Sequence, residues 1–349
     1  MGLLYPGLHR LVDEGDAGDE YNFSPPAFNP RVPDPVRNFN STVVETGPLR
    51  GSLEGRFDLA VYEGLRSDRQ ARSDRETILP VRLRLSLEAD TPRLDLELEI
   101  INQTPDHRLR AHFPLPFQVV ESAADTAFHV TRRPVIGPRR DPGASEIELP
   151  TYPMWSFVDL NDGRAGLALI ADGLHEYEVL PGNPPELALT LLRAVGWLSR
   201  EDLTTRNGHA GPGMATPGAQ VLSGHRLRYS LFFHQGGWEG GGVWRMAEST
   251  LTPLVVGHGP AITNAAPRIE LAPDTMQMTA LLPRPDGYEL RVLNASDDPH
   301  EASIYIEPQP AEVTSVTLDG GLRESLALAD GMVRLLQPAW GIATLRVRT

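Results

Sequence analysis

Cysteine and lysine are both absent from this 349-residue chain. Without cysteine there is no disulfide framework, no thiolate metal site and no sulfur nucleophile, and a cytoplasmic location is the expectation. All 32 basic residues are arginine, set against 46 acidic ones for a formal charge of −14. A net-negative surface argues against nucleic acid and anionic membranes, since phosphate binding needs clustered positive charge. No apolar run approaches the ~18 residues of a membrane span. The opening Met1-Gly-Leu-Leu-Tyr-Pro6 has neither a basic leader nor a long apolar stretch, so no signal peptide is expected, and Pro6 spoils a myristoylation pattern. Catalytic signatures are missing too. There is no His-Glu-x-x-His, no His-x-His and no Gly-x-Ser-x-Gly, and the glycine-rich run His234–Trp244 lacks the Lys-Ser/Thr of a phosphate loop.

What the chain does have is 32 glycines, 32 prolines and 40% hydrophobic residues, the composition of many short strands joined by turns. The clearest passage runs from Leu79 to Asn102. Val81, Leu83, Leu85 and Leu87 alternate with polar residues, and after Ala89-Asp-Thr-Pro92 so do Leu94, Leu96, Leu98 and Ile100. A period of two means half-buried strands. Folding them as a hairpin sets Arg84 against Glu97, Arg82 against Glu99, Leu83 against Leu98 and Leu85 against Leu96. Each buried aliphatic side chain is worth roughly 1.5–3 kcal/mol and each facing charge pair about 0.2–1 kcal/mol. Burial therefore decides the fold and charge fixes the register. Similar runs recur at 59–62, 109–113, 166–170, 186–192 and 227–233, then at 279–282, 288–292, 302–306, 314–318, 332–336 and 342–347. A short helix is expected near Trp244–Ser249. The linker-like Gly257–Pro267 divides two all-β domains: a large antiparallel β-sandwich over 1–258, of the supersandwich, galactose-mutarotase-like kind, and a smaller sandwich over 268–349.

The most informative stretch is Asp13-Glu-Gly-Asp-Ala-Gly-Asp-Glu-Tyr-Asn-Phe-Ser-Pro-Pro26. Its glycines permit tight turns and its prolines stop a following helix. Read as an extended chain, it puts Tyr21 and Phe23 on one side and Asn22 on the other. Together with the preceding Tyr5–Val12, this stretch closely resembles the start of the C-terminal half of α-mannosidases of glycoside hydrolase family 38. The resemblance continues through Asn102-Gln-Thr-Pro-Asp-His-Arg-Leu-Arg110, Leu192-Arg-Ala-Val-Gly-Trp-Leu-Ser-Arg200, Arg206, Ala210-Gly-Pro212, Thr216–Gln220, Leu290–Asn294 and Pro338–Leu345. It spans essentially the whole chain.

The resemblance implies retaining α-mannosidase chemistry, with a carboxylate nucleophile and a zinc ion held by His and Asp. Those groups belong to a catalytic lobe that precedes this segment in the family, so no catalytic residue, metal ligand or cofactor is expected in this chain. The expected partners are that lobe and a mannose-containing saccharide. The β-rich half lends side chains to the pocket rim. Tyr21 is the candidate hydroxyl or ring contact, Asp19 a companion acceptor, and Arg193 a residue that reaches the pocket or orients a carboxylate. Set against these roles, Asp19 caps a turn and Tyr21 packs in the core. Trp238 and Trp244 are candidate sugar-stacking residues, or two packed indoles. Two further readings stand beside the half-enzyme: a carbohydrate-binding or assembly module without catalysis, and a mutarotase-like epimerase, for which His175 and Glu176 offer the residue types. A chain lacking its lobe is also expected to expose an apolar patch, which self-association as a homo-oligomer would cover.

Overall fold

A computed structural model describes residues 7–252, 254, 257–259 and 268–349. Strand accounts for 54% of the residues and helix for 4%, so the chain is all-β. It divides into two compact units, Met1–Asp125 with Thr131–Thr252 and Thr126–Val130 with Pro253–Thr349. The five residues 126–130 thus group with the second unit rather than the first, as a split at the linker had them. Met1–Pro6 and residues 260–267 of the expected linker lie outside the described residues.

In the first unit, a five-stranded sheet runs in the order Arg10–Gly15, His107–Pro114, Glu186–Ala194, Glu176–Leu180, Thr151–Pro153. A nine-stranded sheet, all but Thr126, His129 and Val130 of which belong to this unit, runs Val36–Thr46, Arg50–Tyr62, Glu76–Glu88, Arg93–Ile101, Gly224–Gln235, Ala165–Asp172, Phe157–Asn161, Glu121–Thr126, His129–Pro134. The two share one core, with Leu109, Ala111, Phe113, Leu187 and Leu189 of the smaller sheet packed among Leu79, Val81, Leu96, Leu98 and Leu231 of the larger. Arg82 pairs with Glu99, Leu83 with Leu98, Arg84 with Glu97 and Leu85 with Leu96, the register expected from the alternation. Charge is shared more widely than in a two-stranded ribbon. Arg82 bonds both Glu54 and Glu99, while Glu97 is taken by Arg226 and Arg228 of the next strand. The helix spans Val243–Leu251.

The second unit holds a four-stranded and a five-stranded antiparallel sheet around Leu290, Val292, Ile304, Val333 and Leu345.

Candidate functional site

The strand Arg10–Gly15 delivers the acidic loop to the end of the five-stranded sheet, where two buried ion pairs fix it. Asp16 and Asp19 are both fully buried. The Asp16 carboxylate accepts the backbone N–H of Gly18 at 2.9 Å and of Ser24 at 3.3 Å, and Arg193 Nε donates to it at 2.9 Å. Asp19 Oδ1 accepts the N–H groups of Tyr21 at 3.0 Å and Asn22 at 2.9 Å, and Oδ2 accepts Arg200 N–H at 2.8 Å and Arg206 Nη2 at 2.5 Å. Burial alone raises the pKa of Asp19. The Arg206 hydrogen bond and the backbone donors of Asn22 and Arg200 outweigh it, holding the carboxyl below its ordinary value. Arg193 Nη2 also donates to the Asp19 carbonyl at 2.9 Å, and Arg206 to the carbonyls of Arg200 and Gly208. The segment 193–211 is therefore clamped around the loop.

The loop is a turn, not an extended chain. Asp19 N–H bonds the Asn22 carbonyl at 3.1 Å while its side chain caps the same residues. That geometry turns Tyr21 outward, 53% exposed, with its ring over the backbone of Gly211. A Cβ at Gly211 would lie 2.8 Å from the Tyr21 hydroxyl. Phe23 turns the other way and receives the Arg108 guanidinium 3.4 Å from its ring centre. Beneath it, Glu14 collects Arg31, Arg108 and Arg110. Burial acts to raise the Glu14 pKa, but Arg110, Arg108 and Arg31 hold it down at about 2.

The geometry bears on both readings given for Asp19 and Arg193. Asp19 is no open acceptor for a sugar hydroxyl: it is buried, and its oxygens are committed to the loop. Arg193 engages a carboxylate, that of Asp16, as the second of its two readings had it. Tyr21 is the one of the three that is exposed. Arg206, which the sequence offered only as part of a longer resemblance, is the direct counter-ion of Asp19.

Residues 7–201 match the family described as the glycosyl hydrolases family 38 C-terminal domain. The chain belongs to that family. Among curated proteins it is similar to one named "Putative mannosylglycerate hydrolase" from Halalkalibacterium halodurans, 28% identical over 306 residues that cover 82% of this chain and 32% of that one. Among solved structures it shares its fold with a glycosyl hydrolase family 38 protein from Enterococcus faecalis, 22% identical with a TM-score of 0.77, covering 97% of this chain and 40% of that chain. An α-mannosidase from Enterococcus faecalis V583 gives 23% identity and a TM-score of 0.76, covering 97% of this chain and 38% of that chain. The chain spans about a third of the curated relative's length and about two fifths of each solved one.

Among the described residues no three His, Cys, Asp or Glu side chains gather as a metal site, and the two buried carboxylates of the loop are already neutralised by guanidinium groups. Of the two candidate tryptophans, neither is exposed, whereas Trp155 is exposed beside His175. Trp238 is buried, beside a cavity of about 440 Å³ also lined by Glu121, Arg132 and Asp162. Trp244 sits on the helix, half-buried and edge-on to Phe157 at 6.0 Å between ring centres. Neither offers an open ring face comparable to that of Tyr21. His175 and Glu176 are engaged separately, His175 with the Met154 carbonyl and Glu176 with the Thr190 hydroxyl, and so form no acid–base pair. Among the described residues no helix is long and apolar enough to cross a membrane.

Proposed function

We propose that this domain forms one wall of an α-mannoside pocket whose attacking carboxylate and zinc lie on another lobe, and that it hydrolyses nothing alone. The exposed Tyr21 supports this reading more than any other observation. Its backbone is held by Asp19, and Asp19 by Arg206, so the phenol stands at a fixed point without being buried itself. A phenol placed that way both donates and accepts a hydrogen bond to sugar hydroxyls and offers a ring to their C–H face. Retaining hydrolysis also needs two free carboxyls about 5–5.5 Å apart. The loop's buried carboxyls, Asp16 and Asp19, are each engaged by an arginine, burial raising the pKa of Asp16 against the pull of Arg193, which is in keeping with a nucleophile and acid supplied by the partner lobe.

The test is the full chain with an aryl α-mannoside, with and without added zinc. No turnover is expected. Zinc-dependent hydrolysis by this chain alone would sink the reading. Titrating mannose against tryptophan fluorescence separates the module reading: saturable binding at millimolar strength favours it, whereas a single wall is expected to give no signal, because one contact does not offset the cost of association.

A further inference from the structure

The outermost strand of the nine-stranded sheet, Val36–Thr46, pairs on one side with Arg50–Tyr62 and, among the described residues, with no strand on the other. It is exposed almost throughout, and it carries Phe39 at 63% and Val43 at 65% exposure besides Val36 and Val44. Phe39 lies over Gly55, against Phe57. Natural edge strands are kept short, charged or covered, because a free ladder of N–H and C=O groups recruits another strand. Arg37, Glu45 and two bulges are devices of that kind, yet eleven residues with four exposed large apolar side chains remain long and apolar for an edge.

The strand's own sequence says what covers it. Read antiparallel against itself about Ser41, Arg37 faces Glu45, Phe39 faces Val43 and Asn40 faces Thr42. The two bulges obey the same symmetry. The register against Arg50–Tyr62 shifts between Arg37 and Asn40 and again between Val43 and Glu45, so the extra residues, Asn38 and Val44, also face each other. We propose that Val36–Thr46 pairs with the same strand of a second copy about a two-fold axis at Ser41, joining two nine-stranded sheets into one. A two-fold contact of this kind is self-complementary by construction. It places two Arg37–Glu45 ion pairs on the outer face and two Phe39–Val43 contacts on the inner face, the cross-strand pairs that stabilise sheets. Arg37 keeps its neighbour Glu76 and Glu45 its neighbour Arg50 within each chain, so the intermolecular pairs extend existing charge clusters.

Sedimentation or light scattering of the full chain should give twice its 38.3 kDa; a monomer at every concentration overturns the proposal. The absence of native cysteine allows a sharper test. Ser41→Cys sits on the axis and should form an intermolecular disulfide under mild oxidation, since directly opposed strand residues lie within disulfide reach. Thr46→Cys, four strand positions from the axis once the Val44 bulge is discounted and so roughly 26 Å from its own copy at ~3.3 Å per residue, should not. A dimer in which Ser41→Cys fails to cross-link, or in which Thr46→Cys cross-links equally, refutes this interface. Arg37→Glu sets like charges against each other twice and should weaken association roughly tenfold. Adding Glu45→Arg should restore it, with thermal melting confirming that all variants fold. A restored dimer supports the register; an unaltered dimer in the Arg37→Glu variant rejects it.

Discussion

Replacing Arg206 with leucine tests how the loop is held. The substitution leaves the Asp19 carboxylate in place, wholly buried, without the guanidinium that donates to it at 2.5 Å. Stranding one member of a buried ion pair costs about 3–5 kcal/mol. Arg206 also bonds the Arg200 and Gly208 carbonyls, which lose that donor too, while Asp19 keeps only its backbone donors. A domain is stable by about 5–15 kcal/mol, and the loop lies outside the leucine core. The loss should therefore appear as local opening of residues 16–26 rather than global unfolding. At about 1.4 kcal/mol per tenfold, opening rises a hundredfold or more. Native-state hydrogen exchange reads it directly at the amides of Tyr21 and Asn22, which donate to Asp19, with the amide of Leu98 as an unmoved control. The double variant with Asp19→Asn should recover much of the loss, since it removes the stranded charge; a coupling of about 1–3 kcal/mol is expected for residues in one network. Additivity to within ~0.5 kcal/mol, or unaltered exchange at Tyr21, would show that the ion pair does not hold the turn.

Two glycines of the same site should respond differently. A Cβ at Gly18 would meet the Asn22 carbonyl oxygen at 2.1 Å and Ser24 N at 2.8 Å, so Gly18→Ala forces backbone apart and should lower the unfolding free energy from denaturant titration by about 1–3 kcal/mol, the range typical of overpacking. At Gly211 the atom met is the end of the exposed Tyr21 side chain, so Gly211→Ala should leave stability within about 0.5 kcal/mol while displacing the phenol, seen as a shift of the Tyr21 ring resonances. Acid stability should depend on Glu14. Its folded pKa of about 2 lies below the ordinary 4.5, so its contribution is complete above pH 4.5 and fades as the pH falls toward 2; the gap corresponds to about 3 kcal/mol. Glu14→Gln should flatten that limb of the stability curve in denaturant titrations at stepped pH. A wild-type slope retained by the variant contradicts the assignment.

Where the chain obeyed a local period, its fold was legible. The hairpin of Glu76–Glu88 and Arg93–Ile101 has its predicted register because burial fixes which face each leucine takes, and a slip of one residue would expose them all. The edge strand Val36–Thr46 went unread for the converse reason: two bulges break its alternation, so Val-Arg-Asn-Phe-Asn-Ser-Thr-Val-Val-Glu-Thr shows no period of two. The acidic loop was visible as a loop, but its geometry was not. Asp16 meets Arg193 across 177 positions and Asp19 meets Arg206 across 187, and no window of local sequence holds both partners. Buried carboxylates require counter-ions, but the arginines of 193–206 come with their own acids, Glu201 and Asp202, so composition did not single out the partners either.

That long-range pairing also separates Tyr21 from an ordinary surface tyrosine. An exposed side chain on a mobile loop must be ordered when it binds, at about 0.5–1.5 kcal/mol for the side chain and more for the backbone. Here the backbone of residues 19–22 is ordered on folding, by a turn whose cap is itself buried. Arg193 and Arg206 would thus influence any ligand of Tyr21 as positioning residues, without touching it. Lysine could not replace either one, because both guanidinium groups use separate N–H groups to join a carboxylate and a backbone carbonyl at once, and an ammonium lacks that fixed fork.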